Sequence, residues 1–139
     1  MKLFVIGATG RTGQEIVQQA LGRGHQVTAF VRSPEGVGAK NERLIIVKGD
    51  VTDEEQLFNA MRNHMRDSLA MENIVQSNGL DWTIARPPRL TQGDSTTYRS
   101  REGAAPRMGF TLDRKAVAAF MLDAIEQTKH LHKIVGIAK

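Results

Sequence analysis

The 139-residue sequence contains no cysteine. That absence excludes a disulfide framework, a thiolate metal site and a cysteine nucleophile, and it fits a reducing compartment. Aromatic residues make up 5% of the chain, with one tryptophan and one tyrosine, too few to build a stacking platform for single-stranded nucleic acid. Prolines number 4 and glycines 13, an ordinary share that excludes collagen-like and low-complexity classes. No apolar run reaches the ~18 residues of a membrane-spanning helix. The opening stretch from Met1 to Ala8 is too short for the apolar core of a signal peptide. The expectation is a cytoplasmic protein with neither membrane nor nucleic acid among its partners.

What is present is a chain of single-domain length, 40% hydrophobic, able to bury a core of its own. Lys and Arg total 19 against 15 Asp and Glu, a net charge of +4, and the basic residues are scattered. Such a surplus suits a solvated basic surface or a small anionic partner such as a phosphorylated cofactor.

The first fifty residues alternate. Lys2 to Ile6 is a short apolar run that stops at glycine. Ile16, Val17, Ala20 and Leu21 share one helical face, and Gly22 and Gly24 end that helix. Gln26 to Val31 is rich in strand formers, and Ser33-Pro34-Glu35-Gly36 breaks it. Leu44-Ile45-Ile46-Val47 reads as a strand buried on both faces. Thr52-Asp53-Glu54-Glu55 reads as a capping box with Thr52 as N-cap. The helix it opens carries a stripe of Leu57, Met61, His64, Ser68, Met71 and Val75 and meets no glycine or proline before Gly79. About 25 helical residues would span nearly 38 Å, and a break near Asn63-His64 is the competing reading. Leu80 to Ala85 forms a further strand stopped by Pro87-Pro88, and residues 89–110 read as loop. Val117, Phe120, Met121, Ala124 and Ile125 mark a last amphipathic helix, and Lys133 to Ala138 a last strand.

The informative motif is Gly7-Ala8-Thr9-Gly10-Arg11-Thr12-Gly13, set between the first strand and the first helix. Gly7 allows the tight exit from the strand, Gly10 lets backbone approach a pyrophosphate, and Gly13 lets the helix pack close to the sheet. The helix N-terminus offers free N–H groups to the phosphates, and Thr9 and Thr12 add hydroxyl donors. At the end of the second strand, a carboxylate would accept the ribose hydroxyls of NAD. Arg32 and Ser33 stand there instead, and an arginine suits the 2′-phosphate of NADP. Arg11 is a second candidate for that phosphate.

These segments, with GDVTD after the third strand, GLDWTIARPPRLT and TTYR, resemble the atypical short-chain dehydrogenases. The similarity is to the NmrA-like, NAD(P)H-binding group that includes biliverdin-IXβ reductases, which are also flavin reductases. It covers residues 1–61 and 64–139. The resemblance implies that Arg32 and Ser33 hold the 2′-phosphate, that Asp50 and Val51 flank the adenine, and that Arg86, Pro87 and Pro88, with Arg89 and Leu90, lie near the nicotinamide. It also shows a departure: Asn59-Ala60-Met61-Arg62 runs straight into His64-Met65-Arg66-Asp67-Ser68, where two βα units of about 30 residues each would stand.

The tyrosine acid of classical short-chain dehydrogenases, with a lysine four residues on, is excluded, because Glu102 stands four residues after Tyr98. No nucleophile elbow exists. His130-x-His132 reads as a solvated strand entry, His25 and His64 show no zinc-ligand grouping, and no metal site and no catalytic residue are assigned. The expected fold is one α/β domain over residues 1–139, a doubly wound Rossmann-like parallel sheet shortened to about five strands. These are 2–6, 26–31, 44–48, 81–86 and 133–138, the first three in the order 3-2-1 and 81–86 beside the first. The expected function is NADPH-dependent reduction of a small molecule, a flavin or a quinone-like compound, weakened by the missing segment. The alternatives are a non-catalytic NADP(H)-binding redox regulator or an inactive truncated relative. The chain is expected as a monomer or, through its overlong helix, a strand-exchanged homodimer.

Overall fold

A computed structural model of the chain describes residues 1–50, 52, 53, 55, 56, 59, 60 and 81–139. They fall into two compact units, Met1–Leu80 and Asp81–Lys139. The helical stripe from Leu57 to Val75, the break near His64 and Val51 lie outside the described residues.

In the first unit, β1 (Lys2–Ile6), α1 (Arg11–Gly22), β2 (Gln26–Val31) and β3 (Leu44–Lys48) follow one another, with a 3-10 turn at Pro34–Gly36. The strands are parallel in the order β1-β2-β3, the expected 3-2-1 read from its other edge. Register sets Leu3 beside Val27 and Val27 beside Leu44. On α1, Val17, Ala20 and Leu21 are buried, as the helical spacing predicts, together with Gly13, while Ile16 is only half-buried, and the helix stops where Gly24 turns to φ +86°.

Two features of this unit differ from the expectation. The strand covered on both faces is β2, whose residues from Val27 to Val31 are all buried, and not the Leu44–Val47 run. In β3, Ile45 and Ile46 are 58% and 41% exposed. An apolar run marks a strand but not its rank in the sheet, and β3 is outermost in this unit's order. The helix cap also moves by one residue. Asp53 Oδ1 accepts the Gln56 N–H at 3.0 Å, the contact an N-cap makes to N3. The Thr52 hydroxyl turns back to donate to Asp50 Oδ1 at 2.9 Å.

The second unit contains β4 (Thr83–Arg86), β5 (Arg89–Thr91), β6 (Arg99–Glu102), β7 (Thr111–Asp113), α2 (Arg114–Glu126) and β8 (Lys133–Ala138). β4 runs parallel to β8, β6 antiparallel to β8, and β5 parallel to β7. The five expected strands are therefore joined by three short ones, β5 and β6 inside the stretch read as loop and β7 directly after it. Their partners lie 22 to 39 residues away in sequence, so local composition does not announce them. The core holds Leu112, Val117, Phe120, Val135 and Ile137, with Ala85, Leu90 and Tyr98 packed against it. Met121 and Ile125, expected on the buried face of α2, are 37% and 49% exposed. The buried surface of the helix is instead carried by a run of alanines with Val117, Phe120 and Leu122. The expected placement of 81–86 beside 2–6 concerns both units, and each ladder described is internal to one. No helix among the described residues is long and apolar enough to cross a membrane.

Candidate functional site: a glycine turn and a basic recess

The turn between β1 and α1 is built by its three glycines in different ways. Gly7 sits at φ +75°, a conformation that a side chain would strain. Its carbonyl accepts the Gly10 N–H at 3.0 Å and closes the turn. A Cβ on Gly13 would come 2.1 Å from that same carbonyl oxygen, so the helix can lie this close to the strand only with glycine there. A Cβ on Gly10 would meet protein only at 3.3 Å. The turn's own packing makes the weaker demand at Gly10, so the outer side of the turn is left open to a ligand.

Gly10 is the N-cap of α1, no side chain caps the helix, and no acidic residue occupies its first turn. The first N–H groups and the positive end of the helix dipole are thus presented without a built-in anion. Thr9, Gly10 and Arg11 are exposed and Thr12 is half-buried. Gln14, which the motif does not include, donates from Nε2 to the Thr9 carbonyl at 3.1 Å and to the Gly36 carbonyl at 3.4 Å. It ties the glycine turn to the 3-10 turn after β2.

At the carboxyl ends of β2 and β3 an open recess of about 400 Å³ is lined by Arg32, Lys48, Gly49, Asp50 and Gln56. The parallel register makes this possible: Val31 stands beside Lys48, so the residues that leave the two strands emerge together. Gly49 is required because a Cβ would come 2.4 Å from the Phe30 ring. Asp50 accepts the Thr52 N–H and hydroxyl, both at 2.9 Å. These bonds hold its carboxyl below the usual range, burial opposes them, and the Arg32 charge adds to them. Its N–H donates to Gln56 Oε1 at 3.3 Å, and Gln56 Nε2 donates to Asp53 Oδ2 at 2.5 Å. Among the described residues, the recess therefore presents the cations of Arg32 and Lys48, while the Asp50 carboxylate is engaged by Thr52.

The structure brings Arg32 and Asp50 into one recess. Ser33 is exposed, lies outside the residues lining the recess, and accepts the Gly36 N–H at 3.1 Å through its carbonyl. Arg86, Pro87 and Pro88 belong to the second unit, where they connect β4 to β5, with Arg86 and Pro87 exposed. Tyr98 donates its hydroxyl to Asp123 Oδ2 at 2.6 Å and meets Phe120 edge-on at 5.4 Å. His130 pairs with Glu102 at 2.8 Å and His132 with Asp81 at 3.3 Å, so the two imidazoles face different carboxylates. Lys48, Gln56 and Gln14 belong to none of the sequence motifs. A signal for Lys48 does exist, since the ends of neighbouring parallel strands open on one crevice.

The chain matches the NAD(P)H-binding family over two overlapping stretches, residues 7–65 and 59–128. Their overlap contains the junction where Asn59 to Arg62 meets His64 to Ser68. Among solved structures, a Rossmann-fold NAD(P)-binding protein from Shigella flexneri superposes with a TM-score of 0.80 at 21% identity, covering 99% of this chain and 93% of the other. A short-chain dehydrogenase/reductase from Veillonella parvula in complex with NADP gives 0.73 at 15% identity, covering 99% and 94%. A proposed NADH-flavin reductase from Streptococcus pneumoniae gives 0.71 at 18%, covering 100% and 99%. Among curated relatives, identities of 38–55% extend over only 15–23% of the relatives' own length.

Proposed function

The chain belongs to the NAD(P)H-binding family, and from that premise we propose that it is an NADPH-dependent reductase of the atypical short-chain type. The substrate is a flavin or a quinone-like ring compound. The observation that carries the choice of NADPH is Arg32 at the end of β2, where an NAD-selective site would set a carboxylate, sharing a recess with Lys48. Two cations side by side suit a phosphate dianion.

The residues present fit the cofactor. Gly7, Gly10 and Gly13 with the uncapped N-terminus of α1 would receive the pyrophosphate, helped by Thr9, Arg11 and Thr12. Arg32 and Lys48 would hold the 2′-phosphate with Ser33 beside them, and Asp50 and Val51 would border the adenine. Arg86, Pro87 and Pro88, with Arg89 and Leu90, would meet the nicotinamide end. The cofactor supplies a hydride, and this chain's part is to hold two rings in register and keep water away. Tyr98 is committed to Asp123, so no proton is assigned to it. A flavin or quinone acceptor suits a site in which the protein contributes position more than acid–base chemistry. The likeness to the proposed NADH-flavin reductase from Streptococcus pneumoniae supports the flavin class.

A non-catalytic NADP(H)-binding regulator is the second reading, and the engaged Tyr98 favours it equally. The deciding experiment compares binding of 2′-phospho-AMP and NADPH by calorimetry and measures NADPH oxidation with FMN. The expectation is nearly equal affinity for the two ligands and slow FMN-dependent oxidation. Binding without oxidation supports the regulator, and failure to bind either ligand removes both readings. The proposed setting is the cytoplasm, as a monomer or strand-exchanged homodimer, which scattering at two concentrations distinguishes.

A further inference from the structure

Three successive residues at the start of α2 all grip the same short segment. Asp113 is buried, and its carboxylate accepts the Thr91 hydroxyl and the Gly93 N–H (3.2 Å) on Oδ1 and the Ser95 N–H (3.2 Å) on Oδ2. The next residue, Arg114, donates from Nη1 to the Thr91 carbonyl at 3.1 Å. Lys115 then reaches Asp94 Oδ1 at 2.6 Å. The segment wraps the carboxylate so tightly that a Cβ on Gly93 would come 2.5 Å from Asp113 Oδ2. Register adds a fourth hold, because β5 pairs with β7 so that Thr91 stands directly beside Asp113.

A solvated loop has no need of this. A buried carboxylate costs free energy unless it is saturated with donors, and among the described residues the donors to Asp113 all come from residues 91–95. The backbone of that segment is thereby fixed to the rigid end of a 13-residue helix. Residues 91–95 continue directly from Arg86–Leu90, two residues of which form part of β5 itself.

We propose that Asp113, Arg114 and Lys115 form a clamp that sets the position of residues 89–95, making Asp113 and Thr91 positioning residues for use of the nicotinamide half of the cofactor. The inference rests on the reading that Arg86–Leu90 meets the nicotinamide end. The clamp acts through backbone placement and touches neither cofactor nor substrate. A displacement of 1 Å between reacting groups can cost on the order of 100-fold in rate.

The test uses the full chain with Thr91→Val, which removes the hydroxyl donor, and Thr91→Ser, which keeps it. Lys115→Gln breaks the outer contact without touching the buried carboxylate, and serves should Thr91→Val lower the melting temperature steeply. Three readouts are compared: amide hydrogen exchange over residues 89–95, calorimetric affinity for 2′-phospho-AMP, and kcat and KM for NADPH oxidation with FMN. Thr91→Val is expected to speed exchange over 89–95 and lower kcat, each by roughly tenfold or more, with 2′-phospho-AMP affinity within about twofold of the unmodified chain. Thr91→Ser is expected to restore both, and Lys115→Gln to move both in the same direction by less. Unchanged exchange in Thr91→Val, or a Thr91→Ser variant as impaired as Thr91→Val, overturns the clamp. A matching fall in 2′-phospho-AMP affinity also overturns it. If the unmodified chain does not oxidise NADPH with FMN, the functional reading fails alone, and the exchange comparison still decides the clamp.

Discussion

Gly13 lies against the carbonyl of Gly7, so close that an added Cβ would stand 2.1 Å from the oxygen and 2.8 Å from the carbon. Both obstacles are backbone, which cannot swing aside. Gly13→Ala is therefore expected to push α1 off β1 and to destabilise the first unit by about 1–3 kcal/mol, the usual range for overpacking. Gly10→Ala meets only a 3.3 Å contact. It is expected to leave the melting temperature within a few degrees while lowering NADPH affinity, because its methyl group would project toward the phosphates. Melting curves and calorimetry on the two variants check the contrast. A Gly13→Ala protein as stable as the unmodified chain would refute it.

Replacing Arg32 with Asp should weaken NADPH and spare or improve NADH. One lost charge-assisted phosphate contact is worth ~1.5–3 kcal/mol, roughly 10- to 150-fold in affinity. Lys48→Met, on the neighbouring strand end, should weaken NADPH in the same direction and leave NADH nearly unchanged. Equal affinity of the unmodified chain for both cofactors would contradict the assignment.

Acid should weaken the second unit through Asp113. Its hydrogen bond from Thr91 is the largest influence lowering its carboxyl, burial opposes it, and the Ser95 and Gly93 amides and the Lys139 charge assist. A carboxyl lowered in the folded state binds fewer protons folded than unfolded. Its contribution is present above the unfolded value of about 3.9 and is lost as pH falls through the folded value. Trp82, the single tryptophan, lies in this unit and reports on it. Its fluorescence during acid titration is expected to show unfolding that begins below about pH 4, and Asp113→Asn should flatten that dependence while lowering stability at neutral pH.

Tyr98→Phe is expected to cost about 1–3 kcal/mol of stability, because it removes the hydroxyl that donates to the Asp123 carboxylate. FMN-dependent oxidation should persist at the unmodified rate. A loss of turnover without a loss of stability would give Tyr98 a role in the chemistry after all.

The cofactor turn is legible in the sequence because its information is local: seven consecutive residues specify both the strand exit and the helix entry. Arg32 and Asp50 are legible for a related reason, since neighbouring parallel strands end at the same edge. Lys48 is open to the same strand-end argument although no motif marks it, whereas Gln56 is not legible, because its place depends on the backbone after β3. The cap moves from Thr52 to Asp53 because two overlapping polar patterns compete there and the side-chain geometry decides. Residues 89–110 read as loop because glycine, proline and threonine punctuate them. The strands there are made by pairing across long sequence distances, Thr91 with Asp113 and Arg101 with Gly136.

The bonds from Gln14 to the Thr9 and Gly36 carbonyls link the glycine turn to the exposed stretch around Glu35. Because the chain has no cysteine, a Glu35→Cys variant would carry a single thiol, and a dye attached there would sit outside the turn and yet be linked to it. Pulling Thr9 toward a bound pyrophosphate would tug the Gln14 amide and shift the dye's surroundings, turning the protein into an optical sensor of its own cofactor.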